Sequence, residues 1–195
     1  MKDSLVALGR SDGLLHWIRL KPHAPPLVPI RHARPADLPA IVAIYNASIP
    51  GRMATADTAP VSVAEREPWF RDFDAQHRPL WVWCDAEQGP PLAWLSLRSF
   101  YGRPAYQSTV ETAVYTAPAA RRRGLGMTLL THATAQAPSL GISTLLAFVF
   151  AHNAPSLALF ERSGFARWGR LPRVAQLDGV ERDLDILGRR VSVTG

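Results

Sequence analysis

The run Arg121-Arg122-Arg123-Gly124-Leu125-Gly126 separates a β-rich stretch ending near Thr116 from an apolar helical stretch beginning at Met127. A glycine turn between strand and helix predicts a phosphate-binding loop. Glycines let the backbone approach a pyrophosphate, a helix N-terminus offers unpaired N–H groups, and three guanidinium groups add positive charge. The implied ligand is an anionic cofactor. In isolation a solvated basic turn reads the same, so the flanks decide. The Gly-Lys-Ser/Thr ending of a nucleoside-triphosphate loop is absent, as are the three spaced glycines and later acidic residue of a dinucleotide fingerprint.

At 195 residues and 47% hydrophobic content, the chain supports one domain with a full core. No apolar run is long enough for a membrane span, and Met1-Lys2-Asp3-Ser4 does not open a signal peptide, so the cytoplasm is the expected location. The net charge of +6 raises a nucleic-acid reading. The arginines are spread along the chain and no DNA- or RNA-binding signature appears, so nucleic acid stays only a minor alternative; basicity suits a cofactor with several phosphates. The single cysteine, Cys84, sits in an apolar strand-like run and reads as a buried filler.

Residues 1–29 read as an extension: apolar runs over 4–8 and 14–20 flank a Gly-containing turn, predicting a hairpin, and a connector with four prolines follows over 21–29. The domain proper, 30–195, reads as a strand over 29–33, helices over 36–48 and 63–75, and strands over 80–84, 91–97 and 109–116. A helix over 124–137, a buried strand over 143–150, a helix over 155–163 and strands over 165–170 and 182–187 complete it. This order implies a mixed α/β sheet.

The loop and its flanks resemble the GNAT acetyltransferase superfamily, whose acetyl-CoA pyrophosphate loop reads Gln/Arg-x-x-Gly-x-Gly/Ala; Arg121, Gly124 and Gly126 fill that pattern. Thr109-Val110-Glu111 leading into Val114-Tyr115 resembles the phosphinothricin N-acetyltransferase branch. Ile30-Arg31, Ala36-Asp37-Leu38, Asn153-Ala154-Pro155-Ser156 and Ser163-Gly164-Phe165 extend the likeness from Ile30 to about Leu187. The resemblance implies a GNAT-type, mostly antiparallel central sheet flanked by helices. A splayed strand pair opening at about Ala147 would bind acetyl-CoA, and the pantetheine arm would pair with the exposed backbone.

Glu111 is the expected base. Strand alternation places it on one face with Ala113 and Tyr115, and a half-buried carboxylate costs free energy unless paired or used. An amine with a pKa near 10 is mostly protonated at neutral pH, so acyl transfer to it requires a base. The alternative is an ion pair with an arginine. By resemblance, backbone groups at Val114, Tyr115 and Thr116 polarise the thioester, and Arg121, Arg122, Arg123, Gly124, Leu125, Gly126 and Met127 surround the pyrophosphate, with Arg122 and Arg123 lying at least beside it. Asn153 holds the pantetheine arm, with Ser156 close by. Asn153-Ala154-Pro155-Ser156 equally reads as a helix start, and the amide has a donor and an acceptor to serve both roles.

Phe160 departs from the pattern. Many superfamily members carry a tyrosine there, and the phosphinothricin branch a histidine, to protonate the departing CoA thiolate. Phenylalanine has no proton to give, so the acid must be another group or water. A thiol pKa of roughly 8.5 already makes the thiolate a tolerable leaving group. For the acceptor, Phe100, Arg103 and Tyr106 align with a family stretch that lines the pocket, and Arg103 is positioned to pair with a carboxylate; a plain surface arginine is the alternative. Tyr101 stands where relatives often carry a second basic residue. His132 and His152 lack partners at metal-ligand spacing, so no metal is expected. Trp81, Trp83 and Trp94 read as core or interface.

These expectations converge on acetyl-CoA-dependent transfer to a small amino-acid-like amine by a homodimer, homodimerisation resting on the branch alone. Transfer to a protein N-terminus or lysine, or a CoA-binding module with weakened turnover, stays open.

Overall fold

A computed structural model describes residues 30–192 and the main chain of two short segments before them, β1 (Val6–Ala7) and β2 (Trp17–Ile18). These two pair antiparallel, Val6 opposite Ile18. The glycine turn between them and the proline-containing connector lie outside the described residues.

The body is a seven-stranded sheet built from β3 (Ile30–His32), β4 (Leu80–Cys84), β5 (Pro91–Ser99), β6 (Thr109–Thr116), β7 (Thr144–Phe150), β8 (Ala166–Leu177) and β9 (Val180–Arg190). Their order is β3-β4-β5-β6-β7-β9-β8, and every pair is antiparallel except β6–β7. A parallel pair needs a crossover, which α3 (Leu125–Gln136) supplies.

Period-2 alternation sorts the side chains into two cores. Trp81, Ala93, Leu95, Leu97 and Val110 face α3 together with Phe160 of α4 (Ala154–Arg162). Leu80, Val82, Cys84 and Trp94 face α1 (Leu38–Asn46), where Ala113, Tyr115 and Trp69 of α2 (Val63–Arg71) close the second core. Trp81 and Trp94 are thus buried on opposite faces, and Cys84 is buried packing whose thiol burial pushes up.

Local chemistry explains most element ends. Asp37 accepts the Arg34 N–H at 2.7 Å and is gripped by Arg31 through two bonds of 2.6 and 2.9 Å, which anchors the turn into α1. Ser62 and Glu65 form a reciprocal capping box at the start of α2. That helix stops at Arg71, short of the predicted residue 75, because Asp74 Oδ1 captures the N–H groups of Gln76 and His77 and turns the chain.

The last hairpin is longer than the sequence patterns indicate. Asp178 and Gly179, at φ 49° and 82°, make the two-residue turn that joins β8 to β9 with Leu177 opposite Val180. This left-handed pair is the turn that matches strand twist. Register shifts between Arg167 and Gly169 and between Leu171 and Ala175 bulge out Trp168 and the Pro172 segment, which erased the alternation that marks a strand.

Candidate active site

β6 forks away from β7. The two pair only from Thr109 opposite Thr144 to Glu111 opposite Leu146. Beyond that point β7 continues along β9 while β6 continues along β5. The fork predicted at about Ala147 therefore opens directly after Glu111.

Backbone alternation decides what faces the gap. Thr109 O accepts from Phe100 N–H and Ala117 N–H donates to Leu92 O, both toward β5, whereas Ser108 O accepts from Thr144 N–H toward β7. The main-chain groups of Val114 and Thr116, together with the Thr112 carbonyl, consequently point into the gap, while the Thr112 N–H closes the ladder on Leu146. Those of Tyr115 point to β5, opposite Trp94. This corrects the expectation for Tyr115: its amide is committed to the ladder, and its contribution is its side chain. The ring lies 4.5 Å from that of Trp94 and its hydroxyl donates to Ala54 O at 2.9 Å. Burial pushes the phenol well above its ordinary range.

At the end of β6 the chain passes a single turn, Pro118–Ala120, and enters α3. Arg122 and Gly124 adopt left-handed conformations, φ 61° and 80°. No backbone N–H from residue 122 to 127 has a backbone acceptor among the described residues, and Gly124, at the helix N-cap, provides no capping side chain. Six consecutive free donors make a concave anion cradle. A Cβ on Gly126 would approach Leu159 Cδ2 to 3.1 Å and Val114 to 3.9 Å, so a glycine here lets the cradle sit against the gap. The three arginines differ. Arg123 is bonded to Asp85 at 2.6 Å and its guanidinium lies 5.3 Å from the Trp83 ring centre, whereas Arg121 and Arg122 carry no ion pair among the described residues.

Asn153 is buried and caps α4, one of its two expected roles. Its Oδ1 accepts the Ser156 N–H at 3.2 Å as the N-cap of α4, and its Nδ2 donates to Met53 O at 2.8 Å, with one hydrogen and one lone pair left over. His152 similarly bonds Arg52 O at 2.9 Å through Nε2. Residues 52–54 are thereby strapped over the sheet by three side chains, the Tyr115 hydroxyl being the third.

A cavity of about 460 Å³ opens at the fork; residues 121–127 of the cradle do not line it. Glu111, Thr112 and Val114 line it at the fork, and Asn153, Ser156 and Phe160 line it from α4. Phe160 is buried edge-on against Phe165 at 5.0 Å. Glu111 is half-buried and has no hydrogen bond or ion pair among the described residues, so the arginine pairing that would have made it structural is not formed.

The acceptor side differs from expectation. Phe100, Arg103 and Tyr106 do not line the cavity. After β5, Tyr101 and Gly102 take successive left-handed conformations (φ 52° and 60°) and Pro104–Tyr106 forms a short helical turn, leaving Arg103 exposed. Phe100 only backs the wall, 6.4 Å from Phe148, and packs on Tyr106 at 5.4 Å. The cavity is instead walled by Tyr45, Trp69, Trp94 and Tyr115, with Arg66 and Arg98 at its polar margin. Arg66 donates to Asp57 at 3.1 Å and lies 4.3 Å over the Tyr45 ring; the Tyr45 hydroxyl donates to the same Asp57 oxygen at 2.5 Å. Burial, then the bond to Asp57, raises the Tyr45 phenol. Sequence reasoning missed Arg98 because it ended this strand at Leu97; β5 runs on to Ser99, in register with Glu111. His132 packs its ring on Trp81 at 4.9 Å, and among the described residues no group of three or more His, Cys, Asp or Glu side chains could hold a metal.

A half-open strand edge, a cradle of free amides at its end and a carboxylate at the fork define a transferase site for a long donor that carries amides and ends in an anion. The chain belongs to the acetyltransferase (GNAT) family, whose profile matches residues 41–165. It is 50% identical over 163 residues to YwnH of Bacillus subtilis (strain 168), covering 84% of this chain and 99% of that protein. It is 35% identical to the L-methionine sulfoximine/L-methionine sulfone acetyltransferase of Pseudomonas aeruginosa, over 81% of this chain and 91% of the relative. Among solved structures, a phosphinothricin acetyltransferase from Sinorhizobium meliloti in complex with AcCoA superposes with a TM-score of 0.77 at 29% identity, covering 83% of this chain and 87% of that one.

Proposed function

We propose that the protein moves the acetyl group of acetyl-CoA to the primary amine of a small amino-acid-like acceptor by direct transfer in a ternary complex. The observation that carries this is the unpartnered Glu111 carboxylate at the point where β6 and β7 separate, lining one cavity with Val114 and Asn153. The residues fit the donor: free amides from Arg122 to Met127 suit a pyrophosphate, Arg121 and Arg122 add unpaired charge, and the Thr112 carbonyl with the main chain of Val114 and Thr116 offers a strand edge to the amide-bearing arm.

Glu111, directly or through a water, takes a proton from the acceptor ammonium. The neutral amine adds to the thioester carbonyl, whose oxygen is polarised by N–H groups at Val114 and Thr116; the C–N bond forms as the C–S bond breaks. The thiolate leaves and takes up, through water, the excess proton that the nitrogen sheds on becoming an amide, since Phe160 has no proton to give. That same residue favours a second reading, a CoA-binding module with weakened turnover.

Release of free CoA thiol from acetyl-CoA, measured over a panel of amino acids and analogues with Glu111→Gln as control, tests both. Turnover that falls in the variant supports the enzyme; donor binding without turnover supports the module or a protein acceptor. We further infer a cytoplasmic homodimer, in which residues 1–29 form an extension appended to a domain of residues 30–195. Supporting a dimer, the sheet-edge strand β8 exposes Trp168, Leu171 and Val174. Supporting the cytoplasm, acetyl-CoA is an intracellular donor, and among the described residues no helix is long and apolar enough to cross a membrane. Light scattering on the full chain checks the oligomer.

A further inference from the structure

Thr112 is the first residue of β6 beyond its last pairing with β7, Glu111 opposite Leu146. It stands between Val110 and Val114, which pack into the core under α3 and α4, and its cross-strand partner Leu97 belongs to that same core with Phe160. Its side chain therefore leaves the sheet on the face opposite Glu111. Thr112 is 3% exposed and lines the cavity with Phe160, yet its buried hydroxyl has no hydrogen-bond partner among the described residues. A buried hydroxyl without a partner destabilises a fold, and valine fills the same volume without that cost. A threonine here suits a ligand that arrives at the fork.

We propose that the Thr112 hydroxyl donates a hydrogen bond to the sulfur of CoA and steadies it as a thiolate, a task for which Phe160 has no group. The inference rests on the acetyl-transfer reading above. The acceptor nitrogen reaches the thioester carbon from the Glu111 face, while the pantetheine arm comes along α4, where Asn153 and Ser156 line the cavity. The sulfur joins that carbon to the arm, so it falls on the α4 side of the fork, the side that Thr112 faces. As the C–S bond breaks, its electron pair passes to sulfur. The Thr112 O–H bond stays intact, because an alcohol is a far weaker acid than a thiol, and the proton that finally neutralises the thiolate is the one shed by the nitrogen. A donor fixed where charge develops lowers the barrier to that step. Ser156 also brings a hydroxyl to the cavity, but it is only half-buried in the first turn of α4.

The test titrates the thiol of CoA bound to wild type, Thr112→Val, Thr112→Ser and Ser156→Ala, read by the ultraviolet absorbance of the thiolate. A free thiol of this kind has a pKa of roughly 8.5. The bound thiol should titrate about 1–2 pH units lower in wild type than in Thr112→Val, as for one hydrogen bond to a charged group, with Thr112→Ser close to wild type. In Thr112→Val, kcat for acetyl transfer should fall about 10- to 100-fold, while affinity for acetyl-CoA, whose sulfur is uncharged, changes by less than about 3-fold. Ligand-free Thr112→Val should melt at or above the wild-type temperature, because it has shed an unpartnered hydroxyl. Equal thiol titration in wild type and Thr112→Val, the shift appearing in Ser156→Ala instead, or a lower melting temperature for ligand-free Thr112→Val would overturn the proposal. Wild type that shows the Thr112-dependent titration but acetylates no amine refutes the acetyl-transfer reading alone and leaves the hydrogen bond to sulfur standing.

Discussion

Replacing Asn153 separates a structural asparagine from one that serves only the donor. In Asn153→Ala, α4 loses its side-chain cap, worth about 1 kcal/mol, and Met53 O loses its bond from Nδ2, worth about another 1 kcal/mol. Met53 is only half-buried, so water partly replaces the second bond and holds it near that value. The sum, about 2 kcal/mol, corresponds to a fall in Tm of about 4–8 °C for a chain of this size. Asn153→Asp divides the two contributions. A carboxylate oxygen still accepts the Ser156 N–H and gains from the helix dipole, but its second oxygen faces a carbonyl at the 2.8 Å separation now spanned by an N–H···O bond. This variant should lose less stability than Ala while loosening the strap over residues 52–54. Met53, Ala54 and Thr55 line the cavity, so acceptor KM should rise in both variants. Urea denaturation followed by tryptophan fluorescence, together with acceptor and donor KM, reads all of this. Stability within about 0.5 kcal/mol of wild type for Asn153→Ala, with only donor KM raised, would refute the two-bond reasoning.

Glu111→Gln should lower kcat by roughly 10²- to 10⁴-fold while leaving acetyl-CoA affinity by calorimetry unchanged, as expected of a lost base. Arg122→Ala should weaken donor binding in a salt-dependent way, whereas Arg123→Ala, whose charge Asp85 already offsets, should weaken it less; equal effects would contradict the observed pairing. Two carboxylates give the fold an acid limit. Burial raises Asp37, but the bonds from Arg31 and Arg34 outweigh it and hold it low; the bidentate Arg170 holds Asp185 low against the same effect. Their folded-state values lie below their unfolded ones, so their stabilisation is complete above about pH 4 and is lost as pH falls through the folded values. Denaturation midpoints between pH 5 and pH 2 should therefore drop more steeply for wild type than for Asp185→Asn.

Strands such as Leu80–Cys84 and Thr109–Thr116 were legible because a short apolar run or a run of β-prone residues bounded by turn residues is a local signal, complete within eight residues or fewer. The cradle was legible for the same reason: strand, glycine turn and helix start lie within a short stretch, and left-handed φ at Gly124 follows from its lack of a Cβ. The Asp178-Gly179 turn was equally local but was masked by bulges, whose extra residues break the very periodicity used to find strands. Side-chain partners across the fold were not legible. Arg123 meets Asp85, 38 residues away, and Asn153 meets Met53, 100 residues away. The register that sets Arg98 opposite Glu111 and strands Arg103 on the surface, and the side of β6 toward which each amide turns, depend on how β5, β6 and β7 assemble. Local pattern constrains the backbone of each element through sterics and solvation; the chemistry of the site comes from pairing groups distant in the chain, and only packing in three dimensions brings them together.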